Sequence, residues 1–386
     1  MNHTKTDILV IGAGFAGLST AYSLAKERPG RVVVIESEKK LGGHASGRNA
    51  GMIRQTVSDP VLASLAVEGR RLMGRAQKNG WDIGFRSAGS LLVANGRGLD
   101  ELKAIRRVTR AQSVECRFLS PQSARRRVLA LDRGSFNHAL FCPSDALVDI
   151  EKLMRGYLNA LKALGVPVLR DHAVHSIKKQ GGVFRVSAGG HVFLAGKIVN
   201  AAGAWAGAVG EKAGAVRVPF RAYRRHLFES FAPEGFKNHW PFVWDLSHNF
   251  YFRPLEKTLL LSPCDKDPFR LALGQTRGPA ERTDARLEKE LALKLRNYWP
   301  GLAGLKIKNK KAGLRTMTPD GRFVVGEDPR VKGFYWVAGL GGHGVTTSFS
   351  VGKLAGDLIL GKKRAKSLVD ALSPKRFLNK TGKHAA

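Results

Sequence analysis

Three glycines at fixed spacing, an acid after them and a second glycine-rich run carrying arginines are the residues here whose types and spacing could do chemistry. Gly12, Gly14 and Gly17 form G-x-G-x-x-G directly after the apolar run at residues 8–11. Leu18, Tyr22, Leu24 and Ala25 continue at helical spacing, and a second apolar run, residues 32–35, ends in Glu36. Gly12 permits a tight turn, Gly14 lets a pyrophosphate approach the backbone, and Gly17 lets the helix pack on the strand. The helix N-terminus offers unpaired N–H groups and the positive end of its dipole to the phosphates. Glu36 can hold ribose hydroxyls and would repel a 2′-phosphate. Strand, motif, helix, strand and acid in register predict a dinucleotide site, without choosing between NAD and FAD.

The second run is "GGHASGRNAGMIR", residues 42–54. Glycine is costly to order and is kept where the backbone takes unusual angles or something comes close. No side chain in the run can build a core, and Arg48 and Arg54 are set into it.

The elements that must position these residues belong to a chain of 386 residues, long enough for two domains or one domain with a large insertion. Its 43% hydrophobic and 25% charged residues are ordinary for a globular protein. No apolar run reaches the length of a membrane span. The opening "MNHTKTDILVIGAG" enters a strand pattern without a secretory leader, so a cytoplasmic protein is expected. Cys116, Cys142 and Cys264 are scattered and form neither a disulfide framework nor a metal site, which agrees with a reducing compartment. The 64 basic and 31 acidic residues give a net charge of +33. The basic residues are dispersed and accompany no nucleic-acid motif, so a nucleic-acid partner is not expected. Attraction of anionic substrates, peripheral contact with the anionic inner face of a membrane, and a merely solvated basic surface all remain open.

Three segments together resemble the D-amino-acid oxidase superfamily of FAD enzymes, the group of glycine oxidase, sarcosine oxidase and D-amino-acid dehydrogenases. The first is the G-x-G-x-x-G unit with residues 42–54, which matches the family's "GG-x-x-SGRNAG" loop. The second is "AGKIVNAAGAWAGAVGEKAG" (195–214), where a purely structural strand–glycine–helix connection is a fair rival. The third is "AGLRTMTPDGRFVVGEDPRVKGFYWVAGLGGHG" running into a helix at 347–359.

The resemblance implies an α/β fold: a Rossmann-like FAD-binding domain of the glutathione-reductase type, with an interleaved α+β substrate domain built on a mixed sheet. The FAD domain would comprise 1–85, 141–215 and 312–372, the substrate domain 86–140 and 216–311, and a basic tail 373–386. FAD, held non-covalently, would lie against Gly12, Gly14, Gly17, Glu36, Ser46, Arg48, Asn49, Gly51, Met52, Gly203, Gly341, Gly342, Gly344, Val345 and Thr346. Arg48 would either meet the cofactor's charge or brace the loop. Relatives of the dimethylglycine dehydrogenase type link FAD through a histidine near His44; a non-covalent loop histidine is the reading preferred here.

By the same resemblance, Arg315 in "AGLR" pairs with the substrate carboxylate and Tyr251 hydrogen-bonds it. Arg225, or else Arg224, lines the pocket. His343 is either a base or a histidine bonded to backbone or flavin. The implied reaction is oxidative deamination of a D-amino acid or related secondary amine to an imino acid and then a 2-oxo acid. The electron acceptor would be oxygen or a quinone. A FAD-dependent 2-hydroxy-acid dehydrogenase, with His343 as base, is the rival. The pattern is nearest the D-arginine dehydrogenase type. However, Gly89 or Ser90, Met52 and Val57 stand where that type carries its arginine-reading residues. Met52, Trp244 and Phe242 lean toward neutral substrates, and the basic balance leaves acidic ones open.

Overall fold

The apolar run that precedes the glycine motif becomes the middle of a parallel sheet. In the computed structural model, which describes residues 3–27, 30–270 and 282–378, strand His3–Ile11 pairs in parallel with Val32–Ile35 on one side and His191–Asn200 on the other. Val168–Leu169 extends one edge, and Phe334–Ala338 with its antiparallel neighbour Val324–Glu327 extends the other. A hairpin of Val174–Gln180 and Val183–Ala188 joins the first half of His191–Asn200.

These strands read as unbroken hydrophobic runs because both faces are covered. Val10, Val34 and Val199 face a core built with the helices Phe15–Glu27 and Ser348–Ile359. Leu9, Ile11, Ile35 and Ile198 face a second core closed by the helix Ala206–Lys212. The two long helices touch through small residues. A Cβ on Gly352 would sit 2.5 Å from the Ser19 carbonyl, and one on Gly356 would sit 2.6 Å from Ser23 Oγ. Both helices follow parallel strands, so their N-termini emerge side by side at the same end of the sheet.

The second sheet has nine strands among the described residues. Strand Arg221–Phe231 lies within it, flanked by Ile307–Met317 and Thr258–Ser262, with Asp267–Phe269 pairing its start. The sheet continues through Phe250–Leu255, Phe242–Asp245, Ser90–Ala94, His138–Cys142 and Arg117–Leu119. Its own core gathers Phe228, Phe252, Trp240 and Trp299. A small sheet of Met52–Ile53, Ala146–Leu147 and Arg86–Ser87 lies along the connection between the two.

This is the mixed α/β architecture with an interleaved second sheet that the family resemblance implies. Two strands, His138–Cys142 and Ile307–Met317, run across the expected borders at 140/141 and 311/312. The start of the expected basic tail is anchored, because Phe377 is buried in the second core and Arg376 Nε donates to Asp320 at 2.8 Å; residues 379–386 of that tail lie outside the described residues. No helix among the described residues is long and apolar enough to cross a membrane, and no cluster of His, Cys, Asp and Glu there could hold a metal ion. Cys116, Cys142 and Cys264 are buried and unpaired.

Candidate functional site: a slot from Glu36 to Arg315

Where the strands of the parallel sheet end, two adjoining cavities form one slot. The larger, about 540 Å³, is lined by Gly12, Gly14, Glu36, Lys40, His44, Ser46, Gly203 and Trp205. The smaller, about 110 Å³, shares Gly14, Ser46 and Gly203 with it and continues past Arg48 and Asn49 to Arg225, Arg315, Gly341, Gly342, Gly344 and Val345. The slot therefore runs from an acid at one end to two arginines at the other.

The glycine motif makes the floor. Gly12 has φ +106°, and a Cβ there would sit 2.5 Å from the Ala201 carbonyl oxygen. A Cβ on Gly17 would overlap the Gly12 carbonyl at 1.8 Å, so Gly17 seats the helix rather than the ligand. Ser46 Oγ accepts from the Phe15 amide at 3.0 Å, which ties the 42–54 loop to the first turn of that helix. Glu36 accepts from the Ala13 amide at 2.8 Å and so stands at the same turn.

Arg48 braces the loop, its Nη1 donating to the Ala312 carbonyl at 2.6 Å while its Cβ packs on Gly313. Asn49 Oδ1 accepts from the Gly51 amide at 3.0 Å. Gly51 lies against the Val148 carbonyl and Arg253, and Met52 belongs to the small sheet. Thr346 is buried behind the slot, where its hydroxyl donates to the Met52 carbonyl and accepts from the Arg54 amide.

Strand register decides between the adjacent arginines. Arg225 is opposite Gly313 and Arg315 is opposite Tyr223, so Arg225 and Arg315 are diagonal neighbours on one face. Arg224 points the other way and pairs with Asp267 at 2.6 Å. Arg315 lies on the glycine turn, its Nη1 within 2.7 Å of where a Gly342 Cβ would be. Desolvation, then repulsion from Arg225, brings its pKa down to about 10, so it remains a cation at neutral pH. Arg225 is buried, and its Nε and Nη1 have no hydrogen-bond partner among the described residues. The nearest carboxylate, Asp265, stands 3.9 Å from that Nε and accepts instead from the His226 amide and Nδ1.

Tyr251 lies beside this pair, fully buried; its hydroxyl has no hydrogen bond of good geometry among the described residues, and the side chain of Ser262, its cross-strand neighbour, is a polar group that acts on it. Burial raises its pKa, so the phenol stays protonated and can donate. Trp244, opposite Tyr251 on the next strand, packs against it with ring centroids 4.7 Å apart. Phe242 is fully buried.

His343 closes the turn on the other side. Desolvation, then Arg54 and Arg315, hold its pKa down to about 3, so it is neutral and a weak base at neutral pH. Its Nε2 faces Arg54 Nη2 at 3.4 Å. Arg54 itself lies over the Trp244 ring, 4.2 Å from its centroid. The sequence marks Arg54 as unusual without giving it a place, because Trp244 and His343 reach it only through the tertiary fold.

The slot fits FAD. Its backbone comes too close for side chains at Gly12, an acid stands at the ribose end, and the helix N-terminus at Phe15 and Ala16 and the glycine turn at Gly341–Val345 line the middle. The cationic end holds unpartnered donors for a substrate. With FAD laid so that its ribose meets Glu36, His44 sits beside the ADP half, its ring tilted against Trp205 with centroids 4.7 Å apart. That placement favours the non-covalent reading of His44.

Comparison with known proteins agrees with this geometry. The family described as FAD dependent oxidoreductase, DAO, matches residues 7–358. Human mitochondrial sarcosine dehydrogenase is 28% identical over 360 residues, covering 89% of this chain and 38% of that protein; the chain thus spans about two fifths of the length of that relative. Glycine oxidase of Bacillus licheniformis is 26% identical, covering 96% of this chain and 98% of that protein. Among solved structures, L-proline dehydrogenase from P. horikoshii superimposes with a TM-score of 0.86 at 22% identity, covering 97% of this chain and 98% of that one.

Proposed function

This chain belongs to the DAO family of FAD dependent oxidoreductases, and on that premise we propose that it oxidises the carbon–nitrogen bond of an α-amino acid. The donor is a D-amino acid or an N-substituted amine of the same class, the products are a 2-oxo acid and ammonia or an amine, and the electrons pass on to oxygen or a quinone. The observation that carries this reading is the pair Arg315 and Tyr251 at the end of the slot, a desolvated cation and a buried phenol with no ion pair or hydrogen bond to a carboxylate among the described residues.

When bound, FAD supplies the two-electron acceptor. The chain's own part is grip, orientation and charge. The planar guanidinium of Arg315 matches a carboxylate fork, and the Tyr251 hydroxyl gives that carboxylate a further donor. Held by both, the substrate has its Cα turned toward the slot, and such positioning supplies much of the rate. The amine must be neutral to react. Among the described residues the one imidazole at the turn, His343, is too weak a base to take its proton. Instead Arg225, Arg315 and Arg54 surround the site with positive charge, which lowers the pKa of a bound ammonium and lets it release its proton to water. A hydroxyl donor would gain much less from that field without a base, which favours amines over 2-hydroxy acids.

The test is product analysis from a stoichiometric anaerobic incubation of the FAD-loaded protein with D-amino acids, N-alkyl glycines or 2-hydroxy acids. Release of ammonia or amine with matching 2-oxo acid is expected. A 2-oxo acid from hydroxy acids alone would overturn the assignment.

A further inference from the structure

We propose that the amine substrate carries a second carboxylate, and that Arg54 is the residue that receives it. The inference rests on the amino-acid reading above and deepens it to a substrate class, the amino dicarboxylates.

The argument starts from a charge count around Tyr251 and Cys264. Arg54, Arg225 and Arg315 are all close enough to act electrostatically on Cys264. Three carboxylates act on these cations: Glu101 is an exposed helix residue with no ion pair to them among the described residues, and Asp265 and Asp145 are already engaged. Asp265 accepts from the His226 amide and ring. Asp145, fully buried behind Arg54, accepts from the Gln55 amide and side chain, the Thr56 hydroxyl and the Ser90 hydroxyl. Neither forms an ion pair with Arg54 or Arg315 among the described residues. One substrate carboxylate, shared by the diagonal pair Arg225 and Arg315, still leaves Arg54 without a direct ion pair among the described residues, Asp145 acting on it only through space.

The placement of Arg54 says where that anion goes. Arg54 and Arg315 flank one short step of the glycine turn: Arg315 lies against Gly342, and Arg54 reaches the next residue, His343. On the opposite side, Trp244 and Tyr251 bridge the same two cations, with Arg54 over the indole and Trp244 packed on Tyr251. An arginine stacked on an aromatic ring keeps its N–H edge free for a planar acceptor. The contact it does make, to the neutral His343 ring at 3.4 Å, is long for a hydrogen bond. Desolvation lowers its pKa although the charge of Asp145 opposes the shift, so an arriving carboxylate relieves an existing cost.

The experiment uses inert acids, so that binding is read without turnover. Glutarate and succinate, with butyrate and acetate as monoacid partners, are titrated calorimetrically into the FAD-loaded protein, its Arg54→Gln variant and its Arg54→Lys variant. A charge-assisted bidentate contact predicts that diacids bind about tenfold or more tighter than the matched monoacids in the native protein. The ratio should collapse toward one in Arg54→Gln and recover in part in Arg54→Lys. Equal binding of mono- and diacids by the native protein, or a diacid preference that survives Arg54→Gln, overturns the proposal while leaving the amino-acid reading intact. If no carboxylate of either kind binds, both readings fall. The native ratio decides the matter even if a variant does not fold.

Discussion

The guanidinium of Arg315 rests on the backbone of Gly342, 2.7 Å from where any β-carbon at that position would be. Strand Ile307–Met317 supplies the arginine and the turn before helix Ser348–Ile359 supplies the glycine, so the contact ties the second sheet to the helix end that faces the slot. With φ +90°, Gly342 also has a backbone conformation that other residues rarely adopt. Gly342→Ala is expected to displace Arg315 and lower kcat/KM by about two orders of magnitude, mainly through KM, since a misplaced carboxylate grip costs on that scale. Bound FAD per chain should change little. Steady-state kinetics together with the FAD-to-protein ratio checks both halves.

Arg315 itself should tolerate no cation in exchange. Loss of a charge-assisted fork to a carboxylate costs about 1.5–3 kcal/mol, or roughly ten- to hundredfold in binding. Arg315→Ala should therefore raise KM by at least that factor, and Arg315→Lys should recover little of it, because an ammonium lacks the planar pair of donors. Tyr251→Phe should have a smaller effect in the same direction.

At the other end of the slot, Gly12→Ala places a β-carbon 2.5 Å from the Ala201 carbonyl at a φ of +106°. Strain of this kind costs about 1–3 kcal/mol and distorts the turn that approaches the pyrophosphate. The expected outcome is an about tenfold or greater loss of bound FAD at equal protein, read by the cofactor absorbance of the purified variant.

His343 gives a pH dependence with a definite sign. Its pKa is about 3 in the folded protein against an ordinary 6.5, so between those values the unfolded chain binds the extra proton. Its contribution to stability is complete above about pH 6.5 and is lost as pH falls toward 3. Melting temperatures measured from pH 7 to pH 4 should fall more steeply for the native protein than for His343→Gln. Parallel curves would show that His343 is not held neutral by desolvation and the two arginines, Arg54 and Arg315.

How much of this was legible in the sequence follows from how local each signal is. Gly12, Gly14, Gly17 and Glu36 were readable because one strand–turn–helix–strand unit contains both the motif and its reasons. Strand Phe334–Ala338 and the helix after the "GLGGHG" turn were readable for the same cause. Arg224 and Arg225 were not separable, since adjacent residues on a strand face opposite sides and only the pairing of Arg225 with Gly313 and of Tyr223 with Arg315 tells which side is the slot. Arg54 shows the limit. Its neighbours Trp244 and His343 are far away in the chain, so its role depends on how three segments meet. The leaning toward neutral substrates drawn from Met52, Trp244 and Phe242 rested on residues whose places depend on the tertiary fold. Phe242 is fully buried, Met52 lies in the small sheet, and Trp244 presents its ring to a cation.

The measurement that tests the account most directly is the visible spectrum of the purified FAD-loaded protein under anaerobic conditions. It would be followed as D-amino acids, N-alkyl amino acids and 2-hydroxy acids are added in turn. Bleaching of the band near about 450 nm by an amine-bearing acid, and its absence in Arg315→Ala at the same concentration, is the predicted result. A yellow protein that no amino acid bleaches, or one bleached equally well without Arg315, would contradict the account.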